Sequence, residues 1–117
     1  MRRTHLFNFH KEHGHLGEYA GYEMPLWYKS AILEHMSVRN KVGVFDISHM
    51  GRLLIMGFEA VTLLNRILTN NCAQIDTMVC QHAFFCNALG GVIDDVLVCR
   101  LDENEFFMIV NAMNREK

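Results

Sequence analysis

Two adjacent carboxylates, Asp94 and Asp95, stand inside an otherwise apolar run, Gly90-Gly91-Val92-Ile93-Asp94-Asp95-Val96-Leu97-Val98-Cys99. An apolar run bounded by glycine reads as a buried strand, a setting to which aspartate is poorly suited. Strand alternation puts Val92, Asp94, Val96 and Val98 on one face and Ile93, Asp95, Leu97 and Cys99 on the other. If either face is covered, at least one acid lies where its pKa rises unless a donor or cation answers it. A carboxylate so placed can accept a hydrogen bond from a ligand nitrogen and raise the nucleophilicity of its neighbour. The same residues also allow a plainer arrangement, one Asp capping the Gly-Gly turn and the other solvated at an edge.

The remaining chemistry-bearing residues are less pointed. His10, His13 and His15 fall within six positions, and on a helix 10 and 13 share a face. No H-E-x-x-H pattern accompanies them, and Gly14 and Gly17 indicate a helix ending, so a solvated helix end is expected rather than a metal site. Cys72, Cys80, Cys86 and Cys99 form no C-x-x-C pair; they are expected to be buried free thiols, Cys86 and Cys99 lying in apolar strand-like segments. A net charge of −2 without any basic stripe argues against nucleic acid. No run is long enough to span a membrane, and the residues after Met1-Arg2-Arg3 lack the apolar stretch of a signal peptide, which makes the cytoplasm the expected location.

These residues need elements to position them. Half of the 117 residues are hydrophobic and 21% are charged, so a packed core is expected, of a size for one domain over 1–117. Leu6 to His13 reads as a short helix stopped by Gly14, and Glu18 to Pro25 as a short strand leading into a turn. Ser30 is placed to cap a helix to about Lys41, with Ile32, Leu33 and Met36 on one side, and Glu59 to Leu68 repeats at helical spacing. Val44 to Ser48 and Arg52 to Met56 read as strands with a bend at Gly51, and His82 to Asn87 as another. The acidic strand, the polar Leu101-Asp102-Glu103-Asn104 and Glu105 to Asn111 make a hairpin signature. Asn111 to Lys117 reads as the start of a polar helix without a C-terminal cap, as if the chain were cut short. The fold class expected is α+β, mainly antiparallel strands with two principal helices.

Taken in order, Phe9-His10-x-Glu12-x-Gly14, Ala20-Gly21-Tyr22-Glu23-Met24-Pro25, Tyr28-x-Ser30, Glu34-His35-x-x-Val38-Arg39, Val42 to Gly51, Thr69-Asn70, Gly90 to Val98 and Val110-Asn111-Ala112 resemble the aminomethyltransferase family, the T protein of the glycine cleavage system. The match runs through essentially the whole chain. The resemblance implies the N-terminal part of the folate-binding domain of a three-domain cloverleaf. It implies an enzyme that takes an aminomethyl group from the lipoyl arm of a carrier (H) protein, releases ammonia and forms methylenetetrahydrofolate from tetrahydrofolate. By register it assigns the key carboxylate to Asp95 with Asp94 supporting it, and it places Met50, Val110 and Asn111 around the pteridine.

His82 and Cys99 stand where the family usually carries aromatic residues, and both changes remove ring surface that could stack on a folate. The family's contacts to the folate tail come from later segments, so the fragment is expected to be inactive alone and to associate through exposed apolar surface. Two other readings remain open: the folate domain of a sarcosine or dimethylglycine oxidising enzyme, and a non-catalytic remnant that keeps the fold as a binding module.

Overall fold

The computed structural model describes residues 1–117, and the chain divides into two compact units, Met1–His49 and Met50–Lys117. No Pro, Gly or Ser-rich linker marks the break. No helix is long and apolar enough to cross a membrane.

Unit 1 contains α1 (Phe7–His13), β1 (His15–Tyr19), β2 (Tyr22–Trp27) and α2 (Ala31–Asn40). The single strand expected over Glu18 to Pro25 is instead the turn and half of a hairpin. Ala20 and Gly21 both take positive φ, 52° and 78°, which folds the chain back in the sense that suits twisted antiparallel strands. Pro25 sits in β2 opposite Leu16, tolerated because the ribbon has two strands and a free edge. Gly14 ends α1 in extended backbone (φ −122°); its value is closeness, since a Cβ there would lie 3.2 Å from Pro25 and Tyr28.

The expected helix from Ser30 is α2, but Ser30 makes no side-chain capping bond. Glu34 does that work by reaching back: its Oε1 accepts the backbone N–H groups of Tyr28 (2.9 Å), Lys29 (2.9 Å) and Ser30 (3.1 Å). Those N–H groups, Lys29 foremost, hold its carboxyl below the ordinary range. The amphipathic reading of α2 is corrected: none of its residues is buried, and Ile32, Leu33 and Met36 are exposed. The ribbon is too narrow to cover a helix face. Val44 to Ser48 forms no strand either. There the Asp46 Oδ1 accepts the Ser48 N–H at 2.8 Å, a local turn that competes with strand pairing.

Unit 2 contains β3 (Gly51–Met56), α3 (Ala60–Ile67), a 3₁₀ turn (Cys72–Gln74), β4 (Cys80–Cys86), β5 (Val92–Asp102) and β6 (Glu105–Val110). The strands form one antiparallel sheet ordered β3-β6-β5-β4. With α2 and α3 as its longer helices, the chain is α+β as expected. One sheet face is core, where Ala60 and Leu64 of α3 meet Ala83, Val96, Val98, Phe106 and Met108. The predicted pairing of the acidic strand with Glu105 to Asn111 is found, but β5 runs on to Asp102, so the connection shortens to Glu103-Asn104. Arg100 secures that turn by donating to the carbonyls of Asp102 and Glu103.

Two expectations fail in unit 2. Asn111 to Lys117 is a pair of successive turns rather than a helix, with the Asn114 N–H on Asn111 O and the Lys117 N–H on Asn114 O, each 3.0 Å. The Asn111 N–H and side chain are committed to Asp94 and Asp95, which draws the backbone away from helix. The free-thiol reading of Cys80 and Cys99 is also corrected: β4 and β5 bring the two directly opposite each other and they form a disulfide, leaving Cys72 and Cys86 free. Register, not local apolar setting, decides which thiols meet. Thiol titration of the denatured, unreduced chain is therefore expected to count two reactive thiols, with four after reduction. Two equal counts of four would show the bond absent.

Candidate functional site

The carboxylates of β5 lie at the end of the sheet where β3 begins and β6 ends, since Gly51 pairs with Val110. Asp94 points to the core face and is 4% exposed; Asp95 points to the open face. The split between faces is the one alternation predicts. Asp94 Oδ2 accepts the Asn111 N–H at 2.8 Å, and its Oδ1 accepts the side-chain amides of Asn111 (2.9 Å) and Asn114 (2.6 Å). Burial pushes the Asp94 carboxyl up, but the Asn111 and Asn114 donors outweigh it and hold the group below its ordinary value. The Asn111 amide also reaches Asp95, at 2.8 Å to Oδ1 and 3.1 Å to the carbonyl. Neither Asp caps the Gly90-Gly91 turn; Asn87 does, its Oδ1 accepting the N–H groups of Leu89 and Gly91 at 2.9 Å.

Of the residues expected around the ligand, Asp95 and Asn111 are brought into contact. Met50 directly precedes β3 and is half-buried at the same end of the sheet. Val110 is placed differently: at 8% exposure its side chain packs in the core, so it contributes backbone there rather than an open face. His82 lies on the open face two residues from Phe84, with its carbonyl taken by the Asn70 amide. Cys99 is held in the disulfide. Phe84, not singled out from the sequence, stands directly across from Asp95 on the open face and is 51% exposed. It returns part of the ring surface that His82 and Cys99 lack, and its position could have been found from the β4–β5 register alone.

A second polar constellation occupies unit 1. His10, expected at a solvated helix end, is 1% exposed. Its Nε2 donates to Asp46 Oδ2 at 2.7 Å, and its Nδ1 accepts the Tyr28 hydroxyl at 2.8 Å. The carboxylate, which can only accept, fixes this tautomer. Thr4 Oγ1 donates to the same Asp46 oxygen at 2.8 Å. Burial pushes the Asp46 carboxyl up, and the bonds from Ser48, His10 and Thr4 more than reverse this, holding it far below the usual range. Tyr28 is pushed up by burial and by the charges of Asp46 and Glu34. The signal for this clasp was available in Val44-Phe45-Asp46-Ile47, an acid among apolar residues as conspicuous as Asp94.

Residues 6–117 match the model of the GCVT N-terminal domain. The chain belongs to this family. As a GCVT N-terminal domain it is 44% identical, over its whole length, to the aminomethyltransferase of Thermotoga sp. strain RQ2, and 45% identical to that of Halothermothrix orenii. A probable aminomethyltransferase of Pyrococcus furiosus is 42% identical over 99% of the chain. The crystal structure of the glycine cleavage system aminomethyltransferase T from Bartonella henselae superposes on 98% of the chain with a TM-score of 0.93 and 32% identity. The chain spans about a third of these relatives, 32%, 33%, 29% and 32% of their respective lengths.

In this GCVT N-terminal domain no three His, Cys, Asp or Glu side chains converge to hold a metal ion. A groove of about 500 Å³ lies in unit 1, lined by Trp27, Tyr28, Val38 and Phe45 among others. Glu34 and Asp46 also line it, but Asp94 and Asp95 do not, which separates it from the carboxylates of β5. A pocket of about 90 Å³ between Thr69-Asn70 and His82 to Phe84 does adjoin the open face.

Proposed function

We propose that the chain forms part of a tetrahydrofolate-dependent aminomethyltransferase of glycine cleavage, which receives the aminomethyl group from a lipoylated carrier (H) protein and releases ammonia. The observation that carries this reading is Asp95: a carboxylate on the open sheet face, tied to the Asn111 amide and lying across from an exposed ring, Phe84. The carboxylate acceptor and the exposed ring fit the group, since a pteridine offers ring N–H donors and a flat face to stack. When bound, tetrahydrofolate supplies the nitrogens that take up the one-carbon unit.

The work of the protein is positioning. Asp95, held by Asn111, accepts a hydrogen bond from a ring nitrogen and fixes its orientation, and orientation carries as much of the rate as charge does. Asp94 keeps Asn111 in place from the core side. Phe84 supplies the face on which a ring rests. A second reading, a binding module without turnover, is favoured by His82 and by Cys99, whose sulfur is committed to Cys80. The test is calorimetric titration of tetrahydrofolate into the chain and its Phe84→Ala variant. Measurable binding that weakens by up to about ten-fold in the variant is expected, the range of an aromatic stacking contact. Absence of binding at millimolar tetrahydrofolate would remove the reading.

A further inference from the structure

We propose that Asn114 is a positioning residue for the carboxylate site: by donating its side-chain amide to Asp94 it sets how the Asn111 amide is shared with Asp95. The link to ligand binding rests on the reading of Asp95 and Asn111 given above; the link among the four side chains does not.

The Asn111 Nδ2 carries two hydrogens, yet it lies within reach of three acceptors: Asp94 Oδ1 at 2.9 Å, Asp95 Oδ1 at 2.8 Å and the Asp95 carbonyl at 3.1 Å. How those two hydrogens are divided depends on how far the demand of Asp94 is already met. Asp94 is the buried member, 4% exposed, and a buried carboxylate short of donors is costlier than one that can turn to water. Asn114 meets that demand with the shortest bond in the cluster, 2.6 Å to Asp94 Oδ1. With Asp94 satisfied, Asn111 can extend a hydrogen to Asp95 on the other face of the strand.

The local backbone makes this arrangement available. The Asn114 N–H bonds to Asn111 O at 3.0 Å, so residues 111–114 form one turn and present both amides to a single carboxylate. The orientation of the Asn114 amide is fixed chemically: Lys117 Nζ donates to its Oδ1 at 2.7 Å, and a flipped amide would set NH₂ against ammonium and carbonyl against carboxylate. A donor whose carbonyl faces a cation is also the stronger donor. Asn114 thus acts on Asp95 through Asp94 and Asn111, without any contact of its own.

The experiment compares the 117-residue chain with its Asn114→Ala and Asn114→Gln variants by NMR of the Asn111 side-chain NH₂, by calorimetric titration of tetrahydrofolate, and by melting temperature. In Asn114→Ala the Asn111 NH₂ resonances shift and broaden and tetrahydrofolate affinity falls about five- to ten-fold. Asn114→Gln, which keeps the donor, restores both and remains the informative variant should the alanine form fail to fold. Unchanged Asn111 resonances in Asn114→Ala, or a Gln variant as perturbed as the alanine one, would overturn the proposal, the second pointing to packing instead of donation. Shifted resonances in a chain whose unsubstituted form binds no tetrahydrofolate would support the positioning while removing the functional reading.

Discussion

Replacing Asp46 with alanine is expected to destabilise unit 1 by about 3 kcal/mol or more, because the buried donors that share its carboxylate, the His10 Nε2–H first, lose their acceptor at about 1–3 kcal/mol for each group left unpaired. The side chains of His10 and Asp46 are 2% and 3% exposed and meet at 2.7 Å, so little water is available to compensate either one. The loss spreads because Asp46 is shared. Thr4 and Ser48 also bond to it, and Tyr28 hangs on the far nitrogen of His10, so one carboxylate ties the N-terminal segment, α1, the segment before α2 and the irregular stretch after it. His10→Ala should cost a comparable amount. The double variant should cost much less than the sum, because either single change already breaks the same network. The pH dependence has a definite sign. The folded-state pKa of Asp46 is depressed, so its contribution is present in full above the ordinary carboxylate value of 3.8 and drains away as the pH falls below it. Asp94, also depressed, acts in the same direction in unit 2. Thermal melts of the wild type and of Asp46→Ala between pH 3 and pH 7 measure both effects (an experimental window set around the ordinary carboxylate range of about 4). A variant as stable as wild type at neutral pH, or one whose acid sensitivity is unchanged, would show the clasp to be incidental.

How much of this could be read in the chain follows from the range over which each signal acts. The β5–β6 hairpin and α3 announce themselves through local alternation and helical periodicity, and both are found. The division of Asp94 and Asp95 between faces follows from strand geometry alone. Local signals fail where a distant partner decides the outcome. The apolar side of α2 has the composition of a buried face, yet nothing in unit 1 is wide enough to bury it. Cys80 and Cys99 lie 19 residues apart, and only the β4–β5 register makes them neighbours. His10 and Asp46 are 36 residues apart, and a histidine four residues before Gly14, in the last turns of a short helix, gives no hint that it will be sealed. In the candidate site Asp95 and Asn111 were legible through the resemblance to a family, whereas Phe84 and Asn114 needed the register and the turn at 111–114.

The second large effect concerns Asp94 and Asp95, where one substitution made at two adjacent positions should give opposite phenotypes. Asp94→Asn replaces a carboxylate that accepts from the Asn111 N–H, the Asn111 amide and the Asn114 amide with a group having a single acceptor oxygen and an NH₂ of its own. At least one buried donor loses its partner, so a loss of about 1–3 kcal/mol in stability is expected. Asp95→Asn changes an exposed side chain whose one side-chain bond, from the Asn111 amide, an asparagine oxygen can still accept. Its effect on stability should stay within about 0.5 kcal/mol. Function should follow the reverse order. Under the proposed function, in which Asp95 orients the bound ring, removing its charge is expected to lower aminomethyl transfer about 10²- to 10³-fold in a protein spanning the full length of the relatives. Asp94→Asn, assayed per folded molecule, should lose less, because it acts only through the placing of Asn111. The measurement is a matched pair for each variant, melting temperature and transfer rate at saturating tetrahydrofolate. An Asp95→Asn protein with near-normal turnover, or an Asp94→Asn protein that is fully stable but slower than Asp95→Asn, would move the orienting carboxylate to the core face of β5.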